Sequence, residues 1–419
     1  MTGSKLSLCL LPFLFLFSPH VQGNRLTVEK NGKFSSIASA ITVAMPNDTV
    51  IVQPGRYKEH SLVIDKPLTI TGSKQPVIDA EEQAEDIFII AANEVHISGF
   101  VLENTGVSYL KEVAAIRVKQ AKSGSIGENT IRNCFFGIYL EYTSHFLVKN
   151  NEISGTIINE ASAGNAIHVW KGKKINITGN RVTGHRDGIY FEFVDSSLIS
   201  HNKSQGNIRY GLHFMFSNND EYLLNEFREN GAGVAVMFSK KIKMKQNLFS
   251  DNWGGASYGL LLKEISDGDI IDNRFYRNTV GIMAEGANRL RVENNDFILN
   301  GTALDIKGNT LDSKIERNNF IANTFEVITN SRYNTNTYKN NYWSNYNGYD
   351  LNRDGTGDVA YRPVNVYAKV TKEIPAATIM LHSFIIQLLD VTERLFPTVI
   401  PAELVDHEPK MTPWKDDKN

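Results

Sequence analysis

The sequence predicts an all-β fold, a parallel β-helix (solenoid) wound from coils of about 22 residues. Three observations predict it. The first is Asn-x-apolar: NTI at 129, NEI at 151, NRV at 180, NEF at 225, NLF at 247, NRF at 273, NDF at 295, NNF at 318 and NYW at 341. With Asn202 as a weaker member, its steps are 22, 29, 22, 23, 22, 26, 22, 23 and 23 residues. The second is small-apolar-x-apolar: GIYL at 137, AIHV at 166, GIYF at 188, GLHF at 211, GVAV at 233, GLLL at 259, GIMA at 281 and ALDI at 303. Both series lengthen at the same two places, so the extra residues form loops in NEASAG (159–164) and near WGGAS (253–257). The third is the lack of the leucine ladder that a leucine-rich repeat of this length needs. Short β runs with Gly and Asn at the corners remain, and stacked asparagines can form amide ladders between coils about 4.8 Å apart.

The elements follow in order. Residues 1–23 read as a signal peptide: Lys5, the apolar run LSLCLLPFLFLF, then Val21 and Gly23 before cleavage near Asn24. Pro12 interrupts the run, and a lipoprotein signal is disfavoured because Cys9 sits early within it, after Leu8. Cleavage leaves Cys134 as the sole cysteine, which excludes an internal disulfide and a Cys-cluster metal site. Residues 24–65 supply a helix ending at Pro46, read as a cap over the open coil stack, and the first strands. Residues 66–345 are the β-helix proper. With 42% hydrophobic residues a substantial core is expected, and a net charge of −2 gives no field toward nucleic acid or an anionic membrane.

Beyond the coils, residues 346–368 form an Asp/Asn/Gly-rich closing loop. Asp350, Asn352, Asp354 and Asp358, with Gly355 at the bend, resemble the first nine positions of an EF-hand-type calcium loop. Tyr361 stands where a bidentate acid belongs, so an Asx-rich turn is the alternative. Residues 369–419 hold an apolar helical segment and a tail. Ile374–Leu389 is a run of 16 residues without a charged side chain, short of a membrane span. It either packs along the solenoid or docks on a membrane partner.

Alignment on GLHFMFSNND (211–220) raises a functional question. Alternation puts Leu212, Phe214 and Phe216 on the core face and turns His213 and Met215 outward to solvent. The same face carries Tyr139, His168, Tyr190 and His213 in one column, and Glu141, Trp170, Glu192, Met215 and Met237 in the next. His168, His213, Met215 and Met237 combine imidazole and thioether donors that suit Cu(I). Trp170, Tyr190 and Glu192 complete the neighbourhood, and a protein-docking face is the competing reading. Catalysis would need paired carboxylates or a base beside a cation. The outward acids Glu141, Glu192, Glu285 and Asp305 are scattered, so a polysaccharide lyase or epimerase is the second reading. Glu192 with Arg186 and Asp187, the latter two expected at a solvated corner, is the best local cluster. Asp406-His407-Glu408 lies in the tail and is expected to be solvated.

The run from Gly164 to Met244, and more loosely 342–363, resembles the NosD family of nitrous-oxide-reductase maturation proteins. The resemblance covers most of the chain after residue 23. It implies a periplasmic, right-handed β-helix without catalysis of its own. It also implies association with a membrane transporter subunit and its cytoplasmic ATPase, and work with a copper chaperone on the copper–sulfide site of nitrous oxide reductase. Membrane contact would then come only through a partner or the C-terminal helix. Copper in transit and a structural calcium are the ions these readings name.

Overall fold

The computed structural model describes residues 23–414, apart from 109, 157–162, 332, 365–366, 368–369, 372–374, 381–382, 385, 387 and 390–403. Three parallel sheets run the length of the solenoid, and each strand pairs with its counterparts one coil before and one coil after. The first sheet has 14 strands, from Arg25–Val28 to Thr337–Lys339. The second has 12, from Leu62–Ile64 to Phe325–Thr329, and the third has 13, from Arg56–Lys58 to Tyr342–Trp343. Tyr210–Met215 and Ala232–Met237 of the second sheet are each six residues long. The second of the two loops in the lengthened coils is seen at 253–257. Most of the first lies outside the described residues.

Alternation decides what is inside. Ile167, Val169, Ile189, Phe191, Leu212, Phe214, Val234 and Val236 are fully buried, as the core columns require. Rings from consecutive coils stack along the third sheet. Phe249 and Phe275 lie 4.6 Å apart between centroids, and Phe320 and Trp343 lie 4.1 Å apart. The alternation fails at Phe216. The strand ends at Met215, Phe216 takes φ 51°, and its ring is 40% exposed rather than in the core. A corner residue in the left-handed region no longer obeys the period of two.

The asparagines are structural. From Asn129 to Asn318, one per coil, each backbone N–H and side-chain Nδ2 donates to the Oδ1 of the next coil's asparagine, the last being Asn341. Asn202, for example, reaches Asn225 Oδ1 at 2.9 and 3.0 Å. A second ladder, missed from the sequence, stands five residues further on: Asn207, Asn230, Asn252, Asn278, Asn300 and Asn323. Both sets are buried, and their mutual bonding makes that burial tolerable.

The ends differ in kind. Helix α1, Ile37–Val43, begins at Ser36, whose hydroxyl accepts from Ser39 N at 3.2 Å. It buries Ile37, Ala40 and Ile41 and contacts the edge strands Arg25–Val28 and Leu62–Ile64. At the other end Pro375–Met380 forms a 3₁₀ helix, and Ile379 and Phe384 are 90% and 76% exposed. Much of the remaining apolar segment lies outside the described residues. The tail then returns to the coils: Asp406 bridges Tyr338 in parallel and Tyr361 antiparallel, and Lys410 bridges Tyr342. Asp406 is therefore not solvated as expected. It is fully buried, and its Oδ2 accepts from Asn341 N at 3.0 Å, Asn341 Nδ2 at 3.1 Å and Trp343 Nε1 at 3.1 Å. A carboxylate suits the final rung, because it must accept and has no further coil to which it must donate.

Candidate functional site: a ring column on the second sheet

The register of the second sheet sets Arg117, Tyr139, His168, Tyr190 and His213 directly over one another on its outer face. Their rings stack, 4.4 Å from Tyr139 to His168, 4.7 Å from His168 to Tyr190 and 4.7 Å from Tyr190 to His213. The Arg117 guanidinium closes one end, 4.7 Å from the Tyr139 ring, and Tyr210 packs beside His213 at 4.7 Å. The column faces outward as the alternation requires, but it does not face solvent: His168 is 4% and His213 5% exposed. Each imidazole is sandwiched between rings. Glu112, from the segment before Ala114–Lys119, lies over the column, meeting the Tyr139 hydroxyl and, through its carbonyl, Arg117.

Burial sets the electrostatics. Both ring nitrogens of His168 are buried without a hydrogen-bond partner. Burial, then the charge of Arg186, push its pKa down to about 3, so it is neutral. Asp187 was expected at a solvated corner, yet it is fully buried at the start of the strand Asp187–Glu192. Arg209, one coil on, donates to it at 3.1 and 2.7 Å, and His213 Nδ1 lies 3.4 Å away. Burial alone would raise this carboxyl; the hydrogen bonds from His213 and Arg209 outweigh it and hold it below its ordinary value. Arg209 and Tyr210 were not singled out from the sequence, although they stand one coil after Arg186 and Asp187 and the arginine repeats.

The second column is half-open. Met215 pairs in register with Met237, and Met215 Sδ accepts from the Tyr190 hydroxyl at 3.6 Å. Trp170 packs edge-on against Tyr142 at 4.8 Å, and Glu192 sits beside the Tyr190 hydroxyl. For copper, the four sequence candidates divide. The Tyr190 ring stands between His168 and His213, so the two imidazoles do not converge on one ion. His213, Met215 and Met237 lie on adjoining strands and keep the soft donor types Cu(I) takes. Among the described residues no group of three or more His, Cys, Asp or Glu is placed to share a metal ion.

In the closing loop the oxygens of the candidate calcium residues accept from backbone N–H groups. Asp350 accepts from Gly355 N at 2.8 Å, Asn352 from Asp354 N at 3.1 Å, Asp354 from Thr356 N at 2.7 Å and Asp358 from Leu351 N at 2.6 Å. This is the bonding of an Asx-rich turn. Of the acids weighed for catalysis, Asp305 lies 3.0 Å from Lys307 and Glu141 lies 3.8 Å from Arg117.

Comparison with known proteins adds the following. The family described as "Periplasmic copper-binding protein (NosD)" matches residues 153–348, and a family of unknown function, DUF1565, matches 60–226. The chain is 29% identical over 428 residues to a probable ABC transporter binding protein NosD of Pseudomonas aeruginosa, covering 98% of this chain and 95% of that one. It is 26% identical to the protein of the same description from Stutzerimonas stutzeri, covering 85% of each. A solved DFA-IIIase of Arthrobacter chlorophenolicus A6 superposes with a TM-score of 0.56 at 14% identity, covering 75% of this chain and 99% of that one. That likeness is one of fold alone.

Proposed function

Because this chain belongs to the NosD family, we propose that it is a periplasmic accessory protein of an ABC-type transporter complex. In this reading it serves copper–sulfide site assembly in nitrous oxide reductase, as a docking scaffold for a copper chaperone and the reductase. The observation that carries it is the near full-length match to relatives described as ABC transporter binding proteins. A rigid solenoid supports it, because a long surface can hold several partners in fixed register. Residues 1–23 act as its signal peptide, α1 covers the first coil, and the apolar C-terminal segment meets the transporter's membrane subunit. Among the described residues no helix is long and apolar enough to cross a membrane. Copper is cargo here, touching the half-open Met215 and Met237 with His213 behind them. The 350–358 turn would tighten around calcium only by giving up backbone bonds.

The test is restoration. In a denitrifying strain lacking its own NosD protein, this chain should restore the copper–sulfide absorbance of purified nitrous oxide reductase. An exported, folded chain that fails to do so overturns the reading. Release of unsaturated products from uronate polymers would establish a lyase instead.

A further inference from the structure

Three phenylalanines leave the core at one corner of consecutive coils. Phe193, Phe216 and Phe238 follow the ends of second-sheet strands and are 47%, 40% and 41% exposed. Their rings stack at 5.1 Å and 5.1 Å, with interplanar angles of 8° and 16°. Each takes a left-handed backbone, φ 54°, 51° and 52°. The coil demands that conformation at this corner, and Gly286 meets it at φ 62° further along. Glycine or asparagine would satisfy the backbone with less strain. Nothing in the fold asks for three large exposed rings.

We propose that this ribbon is a docking strip for one amphipathic, acidic-flanked helix of a protein partner. The proposal rests on the docking reading above and gives the partner its chemistry. The ring spacing of 5.1 Å is close to the 5.4 Å pitch of an α-helix. A helix laid along the solenoid axis therefore offers one apolar side chain per turn to each ring, the i, i+3/4, i+7 pattern of helix docking. The ribbon is one side chain wide, flanked by Met215 and Met237, which suits a helix better than the plane of a bilayer. Charge completes the match. Exposed Lys171, Lys173 and Lys174 stand at one end and Lys240 and Lys241 at the other. Lys171 is held at Tyr142 and Trp170, and Lys173 lies 3.9 Å from Asp195, so Lys174, Lys240 and Lys241 carry the match. The nearby acids are fewer, Glu192, Asp195 and Glu264, and Asp195 already receives Ser196, Asn219 and Lys173. A partner helix with carboxylates beside its apolar stripe complements this frame.

The experiment places p-benzoylphenylalanine at 193, 216 or 238 of the full chain in the periplasm of a denitrifying host, followed by sequencing of the cross-linked peptide. The expected product is a helix-forming protein segment with apolar residues three or four apart and acidic neighbours. A synthetic peptide of that segment should bind the purified chain, and the Phe193→Asn/Phe216→Asn/Phe238→Asn variant should bind it at least tenfold more weakly. The variant's thermal midpoint should be unchanged or higher, since asparagine favours the left-handed corner. Cross-links to a second copy of this chain, no cross-link at all, or unchanged peptide affinity overturn the proposal. So does sedimentation with phosphatidylglycerol vesicles that the asparagine variant abolishes. If the asparagine variant still restores the reductase's copper–sulfide absorbance and none of the three positions cross-links, the strip falls and the scaffold reading stands. Failure of the unaltered chain to restore it removes the scaffold reading itself.

Discussion

Asn225→Ala cuts the first amide ladder near its middle. Asn225 Oδ1 accepts from Asn202 N at 2.9 Å and Asn202 Nδ2 at 3.0 Å, and its Nδ2 donates to Ile199 O and Asn247 Oδ1, each at 3.0 Å. After truncation Asn202 Nδ2 keeps Ile177 O, and Asn247 Oδ1 keeps the backbone N–H of residue 225. Asn202 N–H loses the acceptor it has here and sits in a fully buried residue. One orphaned buried donor costs about 1–3 kcal/mol, and the further lost bonds about 1 kcal/mol each. With three such further bonds the expected loss is about 4–6 kcal/mol, read by urea unfolding followed by circular dichroism. Amide exchange should rise most in the coils around 202–247, because a solenoid transmits damage chiefly to nearest neighbours. Asn225→Asp should be no milder, since it replaces the buried Nδ2 donor with an oxygen that faces two acceptors, Ile199 O and Asn247 Oδ1. A loss under about 1 kcal/mol for Asn225→Ala would refute the claim that the ladder bonds carry net stability.

Asp220 gives a pH prediction of definite sign. Its Oδ2 is buried without a partner, and burial pushes its carboxyl up to about 8, against an opposing bond from Ser197 N. From roughly pH 4 to about 8 the folded state holds a proton that the unfolded chain has released. Stability therefore falls as pH rises through that window and is level above it. Asp220→Asn should remove that slope, stabilising the chain at pH 9 by on the order of a few kcal/mol and leaving pH 4 unchanged; equal unfolding midpoints at pH 9 would contradict this. Asp406→Ala removes the acceptor for Asn341 and Trp343, so exchange at those amides should rise at least tenfold while Asn129–Asn180 stay protected. Asp406→Asn should be the milder change, and equal protection in the alanine variant would sink the final-rung assignment. In an anaerobic Cu(I) competition titration, Met215→Leu/Met237→Leu should weaken binding and His168→Ala should not. A loss confined to His168→Ala would reverse the division of donors made here.

Much of the fold is legible because its two periods are independent and agree. Alternation marks the core columns, and the 22–23-residue step marks the coil, so Leu212 and Phe214 follow from arithmetic. Phe216 does not follow, since alternation ends where the backbone turns left-handed, and sequence alone does not show on which residue the corner falls. The site was legible as a column and misread as a surface. What buries His168 and His213 is the rings of neighbouring coils, Tyr139, Tyr190 and Tyr210, whose stacking follows only from the coil register. Asp187 and Asp406 share that difficulty. Each is an acid whose partner, Arg209 or the Asn341–Trp343 pair, is recognisable only once the coil register is known. The second asparagine ladder was visible in principle, five residues after the first from Asn202 to Asn318.

The returning tail changes what the apolar segment is mechanically. With Tyr361 and Asp406 bridged to each other and Asp406 bridged to Tyr338, the stretch between them is a closed loop whose two ends share one anchorage. A force applied to it by a moving partner does not unzip a free end coil by coil. It arrives as shear across the terminal coil, where Asp406 is wedged against Asn341 and Trp343. Backbone and amide bonds then bear the load together rather than in sequence. On the proposed docking reading, a partner's pull on this loop would be passed to the terminal coil without fraying the chain end.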